Sequence, residues 1–250
     1  MLLKTPSYVM PFLIILLISG CFTKKNTSSQ ILKVSMVHKL KVLDPSGLSL
    51  TYSGKALWTV SDKNNTVYKI SFGGKILSRF RVNGLDLEGI TAINDSLIAV
   101  ILERNRQIVL LTNSGKEIKR INLNLSGKPN SGLEGITFNP TNKHFYVLNE
   151  KYPRLFIDLD SNFTIVNKIK INFAKDLSGL FFDKANNKIW LVSDESKSIV
   201  ITNTSGKMIK KYKIDIPQME GITVDAKNGK IYLVSDSKEK LYEVNLNNQN

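Results

Sequence analysis

Short apolar runs separated by polar turns occupy almost the whole chain. The runs are rich in Val, Ile, Tyr and Phe, and Gly, Asn, Asp and Ser stand between them. This composition is typical of β-strands joined by tight turns. No stretch has the strong 3.6-residue periodicity of an amphipathic helix. The pattern therefore predicts an all-β fold.

A glycine-centred motif opens each group of runs. The motif glycines are Gly47, Gly89, Gly135, Gly179 and Gly221, at successive intervals of 42, 46, 44 and 42 residues. Each is followed by a second apolar run that ends in a polar or acidic corner, such as 57–62, then by a third run and a turn such as 73–75. A period of this length filled with short strands indicates a β-propeller. We predict about five four-stranded blades, and a sixth remains open if the divergent linkers hide a degenerate one.

The two ends of the chain complement each other. The last repeat ends with its third run at 241–246, so its fourth strand is missing. Residues 31–42 alternate apolar and polar positions ahead of the first repeat and can supply that strand. Pairing of the two ends would close the ring and leave only short sheet edges exposed. We therefore place the propeller domain at residues 31–250.

The N-terminus has the order of a secretory signal. Lys4 precedes an apolar run at 9–18, which is too short for a comfortable membrane span and ends in Ile18-Ser19-Gly20-Cys21. This ending resembles a bacterial lipobox, and Cys21 is the single cysteine of the chain. We predict a lipoprotein signal peptide at 1–20 and lipidation of Cys21. An uncleaved anchor with an incidental cysteine is the alternative.

Residues 21–30 are polar and small, as a flexible tether would be. The sequence therefore predicts a protein held by lipid in the bacterial cell envelope. Phe22 stands after the cysteine where Asp would favour the inner membrane, so the outer membrane or the periplasmic face is favoured. The absence of a second cysteine excludes a disulfide within the chain.

The chain is basic, with 35 Lys and Arg against 21 Asp and Glu and a formal net charge of +14. Such a charge attracts anionic neighbours, for example lipid headgroups. The lysines are spread over the repeats rather than clustered in one stripe, so we expect no nucleic-acid partner. We expect a monomer that binds the membrane through its lipid and also binds a small molecule or protein that the sequence does not identify.

The residues just before the motif glycines are the main chemical feature. The first strand of each propeller blade lines the central channel, so Glu88, Glu134 and Glu220 should form a ring there, with Ser46 and Ser178 at the other two positions. Carboxylates held this close repel one another unless a cation, a proton or an arginine neutralises them. Calcium fits such a site because it accepts carboxylate, amide and water oxygens in flexible geometry.

The polar corners offer a second layer of oxygen ligands. These residues are Asp62, Asn149, Glu150, Asp194, Glu195 and Asp236, while the corner of the second repeat, Glu103, is displaced in the alignment. Our predicted metal ligands are Glu88, Glu134, Glu220, Asn149, Glu150, Asp194 and Asp236. The alternative is that the acidic residues hydrogen-bond turn backbones or pair with lysines.

Catalytic motifs are missing from the sequence. The chain has two histidines, His38 and His144, and no Gly-x-Ser-x-Gly element. The lipobox cysteine is not available to a metal site in the domain, so zinc is disfavoured. We predict no catalytic residue; the remaining enzymatic alternative is a metal-dependent hydrolase of an ester, lactone or phosphate that uses the channel carboxylates.

The repeats also resemble a known family. Leu-Glu-Gly-Ile-Thr at 87–91 and 133–137, Met-Glu-Gly-Ile-Thr at 219–223 and the Val-Ser-Asp corners are similar to the SdiA-regulated, or YjiK-like, bacterial propellers. The resemblance covers about residues 40–246. It implies a membrane-associated envelope protein with a calcium-capable propeller and no assigned biochemical activity. Ser46 and Ser178 depart from the glutamate pattern, so the acidic ring is incomplete.

Overall fold

The computed structural model describes residues 30–125, 127 and 131–248. The predicted signal peptide, Cys21 and all of the tether except Gln30 lie outside these residues. The described chain contains twenty β-strands and one short 3₁₀ helix at Leu246–Asn248. Within it, no helix is both long and apolar enough to cross a bilayer.

The strands form five four-stranded antiparallel sheets, which are the blades of a propeller. β1 (Val34–Lys39) precedes the first repeat. Blade 1 comprises β2 (Pro45–Leu50), β3 (Leu57–Ser61), β4 (Thr66–Ile70) and β5 (Ile76–Arg81); blade 2 comprises β6 (Leu87–Ala92), β7 (Leu97–Leu102), β8 (Gln107–Thr112) and β9 (Glu117–Asn122). Blade 3 comprises β10 (Leu133–Asn139), β11 (His144–Asn149), β12 (Leu155–Leu159) and β13 (Ile165–Lys170). Blade 4 comprises β14 (Gly179–Asp183), β15 (Lys188–Ser193), β16 (Ser198–Thr202) and β17 (Met208–Lys213). Blade 5 comprises β18 (Met219–Asp225), β19 (Lys230–Ser235), β20 (Lys240–Asn245) and β1. The predicted all-β propeller is confirmed with five blades, and no sixth blade lies in the described chain.

The ring is closed by the N-terminal strand, as predicted. β1 pairs antiparallel with β20, from Val34 opposite Val244 to Lys39 opposite Lys240. The seam also carries a buried ion pair, because Glu243 lies 2.7 Å from His38 Nε2 and 2.8 Å from Lys230 Nζ. Backbone pairing and this charge cluster together join the first and last strands of the domain.

We expect Glu243→Gln to lower the free energy of unfolding by about 2 kcal/mol at pH 7, because a buried charged hydrogen-bonding group is lost. Burial acts to raise the pKa of Glu243, but hydrogen bonds from Lys230 and His38 outweigh it and hold this pKa below its ordinary value. The stabilisation is therefore present above the unfolded pKa and is lost as the pH falls through the folded one. Urea unfolding at pH 7 and at low pH measures it. Glu117→Gln is the control, since its pair with Arg120 on β9 is exposed and should contribute under about 1 kcal/mol; equal losses in both variants would contradict the expectation.

The hydrophobic core consists of five apolar clusters, each of which lies between two neighbouring blades. Trp58 packs between blades 1 and 2, and Trp190 between blades 4 and 5. Each blade is a sheet with apolar faces, and it buries them by packing against the blades on either side. The fifth cluster, between blades 5 and 1, contains Leu48 and Tyr232, so packing as well as pairing closes the ring.

The motif glycines mark the points where neighbouring inner strands touch. A Cβ on Gly47 would lie 2.3 Å from the carbonyl oxygen of Glu88, and one on Gly221 would lie 2.6 Å from the nitrogen of Leu48. Only glycine permits such an approach of one backbone to another. The glycine therefore narrows the channel, and it brings the residue that precedes it on each strand close to the axis.

Candidate functional site

A cavity of about 210 Å³ lies at the end of the channel where the motif residues and the corners converge. Its lining consists of Asp44, Ser46, Asp62, Glu88, Glu103, Glu134, Glu150, Glu220 and Asp236. Eight of the 21 acidic residues of this basic chain thus line one cavity, and no Lys or Arg is among its lining residues. We call this feature the acidic cavity.

Three glutamates form the innermost part of the acidic cavity. Burial raises the pKa of Glu88 to about 8, with Asp62 and Glu103 acting in the same direction and the hydroxyl of Ser46 against it. Burial, and then the neighbouring Glu88, raise the pKa of Glu134 and of Glu220 well above the ordinary glutamate value. Glu88 is therefore mostly protonated at neutral pH unless a cation replaces the proton, and burial favours the neutral form of Glu134 and Glu220 as well.

The carboxyl groups in the outer part of the acidic cavity also have raised pKa values. Burial raises the pKa of Asp62 to about 6, helped by the charges of Asp236 and Asp44. The pKa values of Glu103 and Asp236 are also raised, again mainly by burial. A backbone N–H, that of Gly132, donates to Glu103 Oε1 over 2.8 Å and opposes part of the shift.

Among the described residues, two lysines form ion pairs with residues that line the acidic cavity. Lys63 Nζ lies 3.6 Å from Asp44, and Lys151 Nζ lies 2.6 Å from Glu150. No positive charge is among the main causes that set the pKa of Glu134 or Glu220. The inner glutamates are therefore without a basic partner among the main causes of their shifts, and burial favours their neutral form.

Two of the seven predicted ligands do not line the acidic cavity. Asn149 is buried, accepts from Arg106 Nη1 over 2.9 Å and donates to the carbonyl oxygen of Pro153 over 2.8 Å. Asp194 pairs with Lys197 over 2.6 Å and accepts from the backbone N–H of Met219. At these two positions the side chains hold a loop and an ion pair outside the cavity lining.

Four lining residues were not among the seven predicted ligands. The sequence had placed Ser46 at a ring position and Asp62 at a corner, whereas it had left Glu103 and Asp44 out of the site. The corner of the second repeat is not displaced in space: Glu103 directly follows β7, as Asp62 follows β3. The interval from Gly89 to Glu103 is one residue shorter than the interval from Gly47 to Asp62, because the β6–β7 hairpin is shorter than the β2–β3 hairpin. Asp44 stands three residues before its motif glycine in the left-handed region, with φ of 41°. The same spacing of aspartate in other repeats, at Asp86 and Asp176, is the signal that would have found it.

The fourth blade supplies no lining residue. Ser178, which replaces glutamate there, is buried and donates to Asp176. The hydroxyl of Ser193 and the backbone N–H of Glu195 also donate to Asp176, so this carboxylate is held within its own blade. The acidic cavity is therefore asymmetric, as the sequence pattern predicted.

The donor chemistry of the cavity fits calcium better than zinc. Its lining offers carboxylate and hydroxyl oxygens, which are hard ligands. His38 and His144 instead pair with Glu243 and Asp158, each over 2.7 Å. Among the described residues, no group of three or more His, Cys, Asp or Glu side chains is arranged to hold an ion directly. The cavity has room for several waters at about 30 Å³ each, so it fits a partly hydrated cation.

Comparison with known proteins identifies the family. The family model of SdiA-regulated proteins matches residues 30–241. The chain belongs to the SdiA-regulated family. The match covers β1 to β19 and ends at the second residue of β20.

Solved structures with a similar fold include several propeller proteins. Virginiamycin B lyase from Staphylococcus aureus is 18% identical to this chain, with a TM-score of 0.52. The similarity covers 81% of this chain and 66% of the lyase, so this chain spans just under two thirds of the lyase's length. A chain of the nidogen/laminin complex is 15% identical with a TM-score of 0.60, over 82% of this chain and 77% of that one. At these identities the similarity shows the fold alone.

Proposed function

We propose that this SdiA-regulated family member is a lipid-anchored binding module of the bacterial cell envelope whose acidic cavity holds calcium. The observation that carries the proposal is the concentration of eight carboxylates, without a basic lining residue, around one cavity of a strongly basic protein. Structural carboxylates that only cap turns need not converge on a common space.

The energetics of the inner glutamates support a cation. Burial favours the protonated form of all three carboxyl groups, which makes the folded state less stable as the pH rises. A divalent cation would replace those protons and supply the missing positive charge. Glu88, Glu134 and Glu220 would be its protein ligands, and the Ser46 hydroxyl and waters would complete the oxygen set.

The anchoring part of the proposal rests on the lipobox. Cys21 would carry the lipid, and residues 22–30 would hold the propeller near the membrane surface. We expect Cys21→Ser to move the protein from the membrane fraction to the soluble fraction and to abolish labelling by a fatty-acid analogue. Labelling that persists in the Cys21→Ser variant would contradict this assignment.

Calcium binding is tested by isothermal titration of the chain from Phe22 onward, which keeps every described residue. We expect one calcium site, proton release on binding, and weaker binding of Mg²⁺, which demands stricter octahedral geometry. Glu134→Gln should remove the calcium signal, whereas Glu195→Gln, an exposed residue outside the cavity lining, should keep it. Binding of spermidine in place of calcium would reassign the cavity to an organic cation.

A metal-dependent hydrolase is the second candidate, and one observation favours it. A glutamic acid whose pKa is about 8 can donate a proton at neutral pH. In a hydrolase, Glu88 would keep its proton for this role, and Glu134 and Glu220 alone would hold the cation. Calcium-dependent turnover of an ester, lactone or phosphate that Glu88→Gln abolishes would establish this activity. Calcium binding without turnover of any such substrate would exclude the hydrolase and support the binding module.

A further inference from the structure

The end of the channel opposite the acidic cavity has a different chemistry. The second residue after each motif glycine is a hydroxyl residue in four blades, and the exception is a phenylalanine in blade 4. These residues are Ser49, Thr91, Thr137, Phe181 and Thr223. The hydroxyl residues have a structural role, because three of them accept backbone N–H groups from the next blade, at 3.3 Å for Ser49, 2.9 Å for Thr137 and 3.0 Å for Thr223.

Phe181 cannot make this interblade hydrogen bond, since it has no hydroxyl. Its ring instead lines a second cavity of about 210 Å³, together with Tyr52 and Phe138. Tyr52 is exposed, with 53% of its surface accessible, although it is a large aromatic residue. An adjoining cavity of about 370 Å³ shares Phe138 and Pro140 with the first. We call the two together the aromatic mouth.

The charge of the aromatic mouth is opposite to that of the acidic cavity. Lys184 lines one of its cavities and Lys143 lines the other, and no Asp or Glu lines either. Both lysines are exposed, and neither forms an ion pair within the described part of the chain. Each cavity of the aromatic mouth thus carries one exposed lysine and no carboxylate, so the mouth is suited to an anionic group.

We propose that the aromatic mouth binds a small molecule with an aromatic body and one anionic group. Small-molecule sites are concave, mostly apolar and aromatic, and carry a few placed polar groups, with volumes of about 300–1,000 Å³. The two adjoining cavities have this lining, and their sizes suit a small molecule rather than a folded partner. Phe181 supplies the aromatic surface at the one position where the repeat departs from its hydroxyl pattern.

The probe is 1-anilinonaphthalene-8-sulfonate, whose fluorescence rises in apolar surroundings, with the uncharged N-phenyl-1-naphthylamine as its matched analogue. The protein is the chain from Phe22 onward, which retains the complete closed ring. We expect one saturable site and tighter binding of the sulfonate than of the uncharged analogue. Lys184→Gln should weaken the binding of the sulfonate about two- to five-fold, because an exposed charge contact is removed. The binding of the uncharged analogue should not change.

Two further variants test the aromatic body of the site. Phe181→Thr introduces the threonine that blades 2, 3 and 5 have at this position, and it should weaken the binding of both probes about ten-fold. Tyr52→Ala, at an exposed position, should weaken the binding of both probes as well. Lys168→Gln on β13 is the control and should change neither. Thermal melts show that each variant is folded. Many weak sites, or unchanged binding in folded Phe181→Thr and Tyr52→Ala, would overturn the proposal.

Discussion

Gly179→Ala is expected to lower the free energy of unfolding by roughly 3 kcal/mol, the upper part of the range for overpacking. The alanine Cβ would lie 2.5 Å from the carbonyl oxygen of Glu220 and 3.1 Å from the Cα of Gly221. Both neighbours are backbone atoms of the next inner strand, which cannot move without separating blades 4 and 5. The ring has no free edge to absorb such a displacement, because β1 closes it.

Gly73→Ala is the matched control, since its Cβ would meet only the Ser71 hydroxyl oxygen at 3.9 Å. This change should stay within about 0.5 kcal/mol of the parent protein. Urea unfolding followed by tryptophan fluorescence measures both variants. Equal stabilities would mean that the motif glycine is not required by contact between the inner strands.

We also expect the stability of the folded protein to decrease as the pH rises. In the presence of a chelator, we expect the free energy of unfolding to fall by roughly 2–5 kcal/mol between pH 5 and pH 9, at about 1.4 kcal/mol for each pKa unit of difference. Between the unfolded pKa near 4.5 and the folded pKa of about 8, Glu88 keeps a proton in the folded state that it loses on unfolding. The folded state therefore binds more protons, and its stability falls with pH across this window.

Charges on several elements contribute to this dependence. The groups that raise the pKa values of the inner glutamates are Asp62, Asp86, Glu103, Glu150, Asp176, Asp194 and Asp236. Glu134→Gln should therefore stabilise the protein at pH 9 and have little effect at pH 5. Glu195→Gln is the control, because its side chain is about half exposed and lies outside the cavity. The interpretation fails if Glu134→Gln destabilises the protein equally at both values.

The fold was predictable because it is a repeat. The glycine at each inner strand is required by backbone contact, so its recurrence at Gly47, Gly89, Gly135, Gly179 and Gly221 reports the geometry of the ring directly. The missing last strand and the surplus alternating stretch near the N-terminus predicted the β1–β20 seam. The number of blades was the uncertain part, because linker lengths alone do not distinguish a long loop from a degenerate blade.

The site was predicted in part. Glu88, Glu134 and Glu220 lie together because their positions are fixed by the motif glycine. Asp194 and Asn149 lie outside the cavity lining because a corner residue can turn toward a lysine or a loop, and sequence spacing does not report side-chain direction. Glu103 was left out because a hairpin one residue shorter shifted its position in the alignment. The aromatic mouth was not predicted at all, since one phenylalanine in place of threonine carries no signal in a single repeat.

A thermal melt with and without calcium shows whether a cation occupies the acidic cavity. The chain from Phe22 onward is melted with calcium and with chelator at pH 7.5, alongside the Glu88→Gln/Glu134→Gln double variant. Calcium at one hundred times its dissociation constant should add about 2.7 kcal/mol and raise Tm by roughly 5–10 °C. The double variant should show no such rise. Melts of the parent protein that coincide with and without calcium would contradict the account.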